Sequence, residues 1–365
     1  VVDRAGKGEG DCGERVVRGA GCAGCGVVRV WVRVRVWVWV WVWVWVGGEG
    51  CAVILVTGVT GTVGREVAGL LPAGAGVRVM ARDPGRVTGV AAGVEVVAGD
   101  YGDRGSLVPV LRGVRTAFLV TARVGGGDDA VFVAAARAAG VRRVVKLSAA
   151  AVLDGGAGDL ITRWQRESEE LLRVSGMEWT LLRPRAFMSN ALSWADSVRR
   201  EGVVRALYGE AAHACVDPAD VARVAVRVLT EEGHAGCAYT LTGPQALSAA
   251  EQTRQLGALL GVALRFEELS PGRARAALAG RFAPEVVEAL LDSAQRLKAG
   301  AKAGVQDTVS RLTGRPARTF RQWAAAHVAS FGPVAAAAVP QGSQAVPRAR
   351  GEVPRGPGGG ADAAL

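Results

Sequence analysis

Beyond residue 51, short valine-rich apolar runs alternate with longer stretches in which apolar residues recur every three or four positions. The short runs at 52–57, 77–81, 94–98, 115–121, 142–148 and 178–183 predict strands. The longer stretches at 63–72, 104–112, 127–139, 161–175 and 186–199 predict helices. This strand–helix rhythm is that of a parallel sheet wound with helices on both faces. Near Asp217-Pro218 the pattern changes. Asp217 as N-cap and Pro218 at the first helical position start a helix to about 230. Tyr239-Thr240-Leu241, a helix near 248–260, a strand near 264–268 and further helices follow. The expected architecture is an α/β doubly wound parallel sheet over 51–185. A small C-terminal α+β substrate lobe over 186–332 is interleaved with it.

The two ends of the 365-residue chain do not follow this pattern. From Val36 to Val46 valine and tryptophan alternate without a break. As a strand, that run would be apolar on both faces, an aggregation hazard. It is far shorter than the roughly 20 apolar residues of a membrane helix. Arg29, Arg33 and Arg35 precede it as in a signal peptide, but no small-residue cleavage site follows. Such alternation is what a G/T-rich tandem DNA repeat encodes, and the first methionine is Met80. Residues 1–50 therefore read as a low-complexity extension, disordered or arising from a mis-assigned start. The Ala/Pro/Gly/Arg-rich tail 333–365 reads as disordered.

The formal net charge of +10 is carried almost wholly by arginine, because lysine occurs only at 7, 146, 298 and 302. The arginines are scattered and no nucleic-acid-binding motif accompanies them, so no nucleic-acid partner is expected. No membrane partner is expected either, and the chain reads as cytoplasmic. The six cysteines form no disulfide framework, and Cys22-Ala-Gly-Cys25 lacks a second pair. His213 and Cys215, read as sharing one face of a strand, supply too few ligands for zinc. No metal is expected.

The strongest local signal is Val53-Ile54-Leu55-Val56-Thr57-Gly58-Val59-Thr60-Gly61-Thr62-Val63-Gly64, a strand, a glycine turn and the start of a helix. Free N–H groups and the positive dipole end of that helix suit a pyrophosphate. Gly58 permits the turn, Gly61 lets backbone approach phosphate, and Gly64 lets helix and strand pack. Thr60, Thr62 and Val63 complete the expected phosphate cradle. After the second strand, a dinucleotide site places an acid on the ribose. Here Arg82 stands where a 2′-phosphate would lie, and guanidinium grips phosphate through two parallel bonds. Arg65 would assist. NADP(H) is therefore the preferred cofactor, while Asp83 leaves NAD(H) usable. Asp100 and Tyr101 end the third strand, beside the expected adenine. Thr121 ends the fourth strand and Ser148 the fifth. Lys146, two residues before Ser148, shares its face and either reaches the site or is a paired structural lysine.

The Thr57–Gly64 turn, Gly99-Asp100, Val144–Ser148 and the string Ser175-Gly176-Met177-Glu178-Trp179-Thr180-Leu181-Leu182-Arg183-Pro184-Arg185-Ala186-Phe187-Met188-Ser189-Asn190 together resemble the NmrA-like branch of atypical short-chain dehydrogenases/reductases. The likeness runs from about 52 to 330 and includes Val216–Ala222 and Leu312–Pro316. It implies a Rossmann-type NAD(P)(H)-binding domain, with Pro184, Phe187, Met188 and Asn190 near the nicotinamide end. Phe187, Met188 and Trp194 would wall a flat substrate.

One departure is decisive. Short-chain dehydrogenases use Tyr-x-x-x-Lys, in which lysine lowers the tyrosine pKa and tyrosine passes the proton. Tyr101, Tyr208 and Tyr239 are the only tyrosines, and none has lysine four residues on. Registered on Glu169 and Ser175-Gly176, the two positions fall on Ile161 and Gln165. Gln165 cannot titrate, and the branch often has histidine there. Two readings follow. One is an NAD(P)H-dependent reductase of a quinone-like or other small conjugated acceptor, with Ser148, Gln165 and Asn190 as catalytic candidates. The other is a non-catalytic NADP(H)-binding redox sensor acting on a regulatory protein partner. Monomer and homodimer are both left open.

Overall fold

The computed structural model describes residues 53–72 and 74–334. The expectations for 1–50 and for the tail from 335 onward fall outside the described residues. The chain runs β1 (Val53–Val56), α1 (Thr62–Leu70), β2 (Val77–Ala81), β3 (Glu95–Ala98), α2 (Arg104–Leu111), β4 (Val114–Leu119), α3 (Asp128–Ala138), β5 (Arg143–Leu147), α4 (Leu160–Arg173) and β6 (Glu178–Pro184). It continues with α5 (Ala195–Glu201), β7 (Val203–Ala206), α6 (Pro218–Thr230), β8 (Cys237–Leu241), α7 (Ala249–Leu260), β9 (Arg265–Glu268), α8 (Pro271–Ala279) and α9 (Pro284–Lys298). The short helices α10 (Thr308–Thr313), α11 (Phe320–Ala326) and α12 (Val328–Phe331) complete it.

Seven strands form one parallel sheet in the order β3-β2-β1-β4-β5-β6-β8. The order reverses between β1 and β4, and the crevice beyond the carboxyl ends at such a switch point is where this fold binds ligands. Strand alternation splits the core into two layers. Ile54 and Val56 face a cluster with Val67 of α1 and Val221, Val224 and Val228 of α6. Leu55 faces the opposite cluster, with Leu107, Phe132 and Leu172 of α2, α3 and α4. Val144 and Leu181 belong to that second layer. Lys146 and Arg183, two residues further along β5 and β6, therefore point to the α3/α4 side as well.

Three details correct the sequence reading. The helix expected at 186–199 is a 3-10 segment, Met188–Trp194, followed by α5. There the Ser193 hydroxyl donates to the Asn190 carbonyl three residues back, which favours the tighter turn. The strand near 264–268 exists, but it pairs in parallel with β7, which the sequence pattern did not reveal. His213 and Cys215 lie outside the named strands and converge on Gln252 of α7. Within the expected lobe, α6 packs on α1 and β8 closes the sheet beside β6. Met188, Val198, Leu256, Phe320 and Trp323 form a third core in the remainder.

Candidate functional site: the glycine turn and the carboxyl ends of β4, β5 and β6

Thr57, fully buried, locks the switch point. Its hydroxyl donates to the Phe118 carbonyl (3.0 Å) and accepts from the Val120 amide (2.8 Å), joining the ends of β1 and β4. Gly58 follows at φ +67°, where a Cβ would also meet Val120 at 2.7 Å. A Cβ on Gly64 would stand 2.3 Å from the Gly58 carbonyl oxygen, so only glycine lets α1 start this close to the turn. The N-cap of α1 is Gly61, with no side-chain cap bond and no acidic residue in the first turn. Its leading N–H groups are therefore available for phosphate oxygens, and the cradle fits a dinucleotide pyrophosphate. Thr60, Gly61 and Thr62 are exposed at its mouth, whereas Val63 is buried and has only its backbone to offer.

At the end of β2, Arg82 is exposed and makes no hydrogen bond or ion pair among the described residues. Asp83 is turned into a local role, its carboxylate accepting from the Gly85 amide at 3.0 Å. Asp100 likewise shapes its own loop by accepting from Gly102 (2.9 Å). Tyr101 is tied into the fold. Its hydroxyl donates to the Val120 carbonyl (3.0 Å) and its ring packs edge-on to Phe132. Burial pushes the phenol pKa up, and Tyr101 braces the sheet end.

Lys146 also takes the structural of its two expected roles. Its ammonium, fully buried, lies 2.8 Å from Asp129 Oδ1, donates to Thr121 Oγ1 (3.1 Å) and stands 5.7 Å from the Trp164 ring centroid. Thr121 Oγ1 donates to Asp129 Oδ1 (3.0 Å) and Trp164 Nε1 donates to Asp129 Oδ2 (2.9 Å). Burial lowers the Lys146 pKa, opposed by the Asp129 charge. Thr121 and Lys146 thus act on each other and on Asp129.

A second buried network holds Ser148. Its hydroxyl donates to Glu169 Oε1 at 2.6 Å, so its one proton is taken and it cannot also donate to an acceptor oxygen. Arg183 grips both oxygens of Glu169, at 2.9 and 2.7 Å, and Arg173 adds a bond at 3.1 Å. Burial alone would raise the Glu169 pKa. The bonds from Arg183 and Ser148, with the charges of Arg183 and Arg173, outweigh it and hold the carboxyl below its ordinary value. One helical turn before Glu169, Gln165 is buried, and its carboxamide oxygen has no hydrogen-bond partner. In this environment an unmet acceptor or donor is costly.

The expected substrate wall is brought together only in part. Pro184 is buried at the end of β6, paired with Leu241. Phe187 bridges to Val216 and Asn190 is exposed. Met188 is instead buried in the third core, its methyl group close against Gly243, and Trp194 packs against that same core. Met188 fills space between elements. Asp129, Trp164 and the pairing of Glu169 with Arg183 were not expected. A lysine inside Val144-Val145-Lys146-Leu147 was the available signal, since a buried ammonium demands a buried carboxylate. Among the described residues, no group of three or more His, Cys, Asp or Glu is placed to hold a metal. No helix there is long and apolar enough to cross a membrane.

Residues 58–232 match the NAD(P)H-binding family. The chain is 57% identical over 281 residues to a (4-alkanoyl-5-oxo-2,5-dihydrofuran-3-yl)methyl phosphate reductase of Streptomyces griseus, covering 77% of this chain and 100% of that one. It is 39% identical to an NAD(P)H azoreductase of Xenophilus azovorans, covering 77% and 99%. The fold matches the crystal structure of an NADPH-dependent quinone oxidoreductase of Escherichia coli in complex with NADPH, with a TM-score of 0.66 and 27% identity over 75% of this chain and 99% of that one. With the glycine cradle, the switch-point sheet and these full-length relatives in agreement, the chain belongs to the NmrA-like branch of atypical short-chain dehydrogenases/reductases, a family of NAD(P)H-dependent oxidoreductases.

Proposed function

We propose that this protein is an NADPH-dependent reductase of a small acceptor whose C=C bond is conjugated to carbonyl groups, and that the acceptor is a phosphomethyl butenolide like the one in the name of the Streptomyces griseus relative. The observation that carries this reading is that the ionisable groups beneath the carboxyl ends of β5 and β6 are already committed. Lys146 is held by Asp129, and Glu169 by Arg183, Arg173 and Ser148. None is left to hand over a proton. An isolated ketone would be a poor substrate there, because its alkoxide needs a proton as it forms.

The bound nicotinamide supplies a hydride. In the butenolide the alkene carbon bearing the phosphomethyl arm lies β to both the ring lactone carbonyl and the alkanoyl ketone. A hydride arriving there leaves its charge spread over two carbonyl oxygens, and water can protonate the α-carbon later. The residues supply position and exclude competing groups, which is where most of the rate would come from. Gln165 is the candidate to orient a carbonyl oxygen, through the N–H of its carboxamide. Asn190, at the exposed rim, and Phe187 confine the acceptor from the lobe side. NADPH is favoured over NADH by Arg82, whose guanidinium is exposed without a partner while Asp83 is engaged with Gly85.

The test is NADPH oxidation followed with the phosphomethyl butenolide, its dephosphorylated alcohol, a panel of quinones and simple ketones. The expected order places the butenolide phosphate first and simple ketones last. Tight NADPH binding without reduction of any acceptor would favour a redox-sensing role instead.

A further inference from the structure

Above the carboxyl ends of β5 and β6 the lobe closes with a cluster of positive charge that the cofactor reading does not use. Arg185 directly follows β6, Arg296 stands in the last turn of α9, and Lys302 lies in the loop beyond it. The carboxylates nearby are already taken. Asp154 pairs with Arg185 at 2.6 Å, and Asp159 pairs with Arg296 at 2.6 Å while capping α4. Lys302 has no carboxylate of its own. It is half-buried, donates only to the Ser293 hydroxyl (2.5 Å), and its backbone carbonyl is pinned by the Ala214 amide (3.0 Å). Two of its three N–H bonds remain unused. The Nε of Arg296 is buried without a partner. Burial, then the neighbouring charge of Arg296, pushes the Lys302 pKa down to about 8. The charges of Asp154 and Asp159 oppose those of Arg296 and Arg185 at Lys302, so three cations and two carboxylates leave one net positive charge for an anion.

From these positions, and resting on the reading of the acceptor given above, we infer that Lys302, Arg296 and Arg185 form the subsite for the phosphomonoester arm of the substrate. Lys302 supplies the free donors, and Arg296 and Arg185 supply charge. The placement suits the chemistry. Asp159, which holds Arg296, caps the helix that carries Gln165 six residues later, about 9 Å along the axis. The neighbouring Arg166 fastens the 152–157 loop through the carbonyls of Val152, Asp154 and Ala157. A phosphomethyl arm is shorter than that rise, so the ring would lie between the subsite and Gln165.

The experiment uses the full chain saturated with NADP+, so that the glycine cradle is filled. Calorimetric titration with butyl phosphate should show binding that Lys302→Met weakens at least tenfold and Lys302→Arg largely restores. Thermal melts confirm that both variants are folded. In turnover, Lys302→Met should raise KM for the butenolide phosphate at least tenfold and leave KM for its alcohol and for quinones unchanged. Absence of butyl phosphate binding to the wild type, or an equal loss of turnover with phosphorylated and unphosphorylated acceptors, would overturn the subsite. Lys302-dependent butyl phosphate binding without reduction of the butenolide phosphate would keep the subsite and overturn the assigned acceptor.

Discussion

Ser148 and Glu169 meet across 2.6 Å, the hydroxyl of one donating to the carboxylate of the other at the end of β5. The contact ties the residue just after β5 to a helix that begins twelve residues later, and Arg183 from the next strand closes the triangle. It also decides what Ser148 can do: the hydroxyl is a brace for α4.

The first prediction concerns that triangle. Both members of the Arg183–Glu169 pair are nearly inaccessible, with side chains 5% and 2% exposed. Removing one partner leaves an uncompensated buried charge, which costs about 3–5 kcal/mol. Glu169→Ala should lose that much in urea denaturation, and Ser148→Ala only about 1 kcal/mol. The pH dependence follows from the lowered pKa of Glu169. A carboxyl held below its unfolded value stabilises the fold fully above that value, near 4.3. The contribution is lost as pH falls through the lower folded value. The wild type should therefore lose stability below about pH 4, and Glu169→Gln should flatten that acid limb.

At the glycine turn, Gly64→Ala should weaken NADPH binding and stability together. The added methyl would sit 2.3 Å from the Gly58 carbonyl oxygen and 2.9 Å from that of Thr57, both backbone atoms that a rotamer change cannot move. Pushing α1 away costs about 1–3 kcal/mol and displaces the N–H groups that face phosphate. Gly69→Ala, in the same helix with nothing within 4 Å of its Cβ, is the control and should leave affinity intact. Fluorescence titration with NADPH compares the two.

Arg82→Ala should reduce the preference for NADPH over NADH. One charged phosphate contact is worth about 1.5–3 kcal/mol, or roughly tenfold to a hundredfold in the ratio of dissociation constants. NADH affinity should hardly change. An unaltered ratio in parallel titrations would remove Arg82 from the 2′-phosphate site.

How much of this was written along the chain divides by distance. The parallel sheet and the turn at Gly58–Gly64 were legible because their signals are local: apolar runs, β-branching and glycine spacing. The N-cap at Asp217 was legible for the same reason, and its carboxylate accepts from Ala219 at 2.9 Å. Strand β7 was not, because its four residues carry no period of their own and gain their partner, β9, 59 residues later. The site was legible as a set of strand ends and illegible as chemistry. Lys146 and Ser148 were read on one face and Thr121 at a strand end, yet which partner each took depended on Glu169 and Asp129, brought in by helices. Met188 read as a cleft residue from its place in the string, whereas packing against Gly243 settles it in the core.

Gln165 gives the sharpest test of mechanism, because its two roles predict opposite signs. The carboxamide is buried and its oxygen unpartnered, so replacement by leucine, of similar volume and without polar atoms, should leave stability unchanged or raise it by about 1 kcal/mol. If the carboxamide orients the acceptor, the same change should lower kcat for the conjugated substrate about tenfold or more while NADPH affinity holds. A residue that merely fills space would not separate the two. Gln165→His restores an N–H donor, and activity should stay similar or rise. The pH profile would then become the discriminating readout. With glutamine in place, α4 carries no histidine to deliver a proton, and kcat should be flat from about pH 6 to 8. A histidine of ordinary pKa near 6.5 would introduce a limb in that range if it serves as the acid. If wild-type turnover already shows such a limb, a titrating acid acts from elsewhere and the requirement for a conjugated acceptor falls with it.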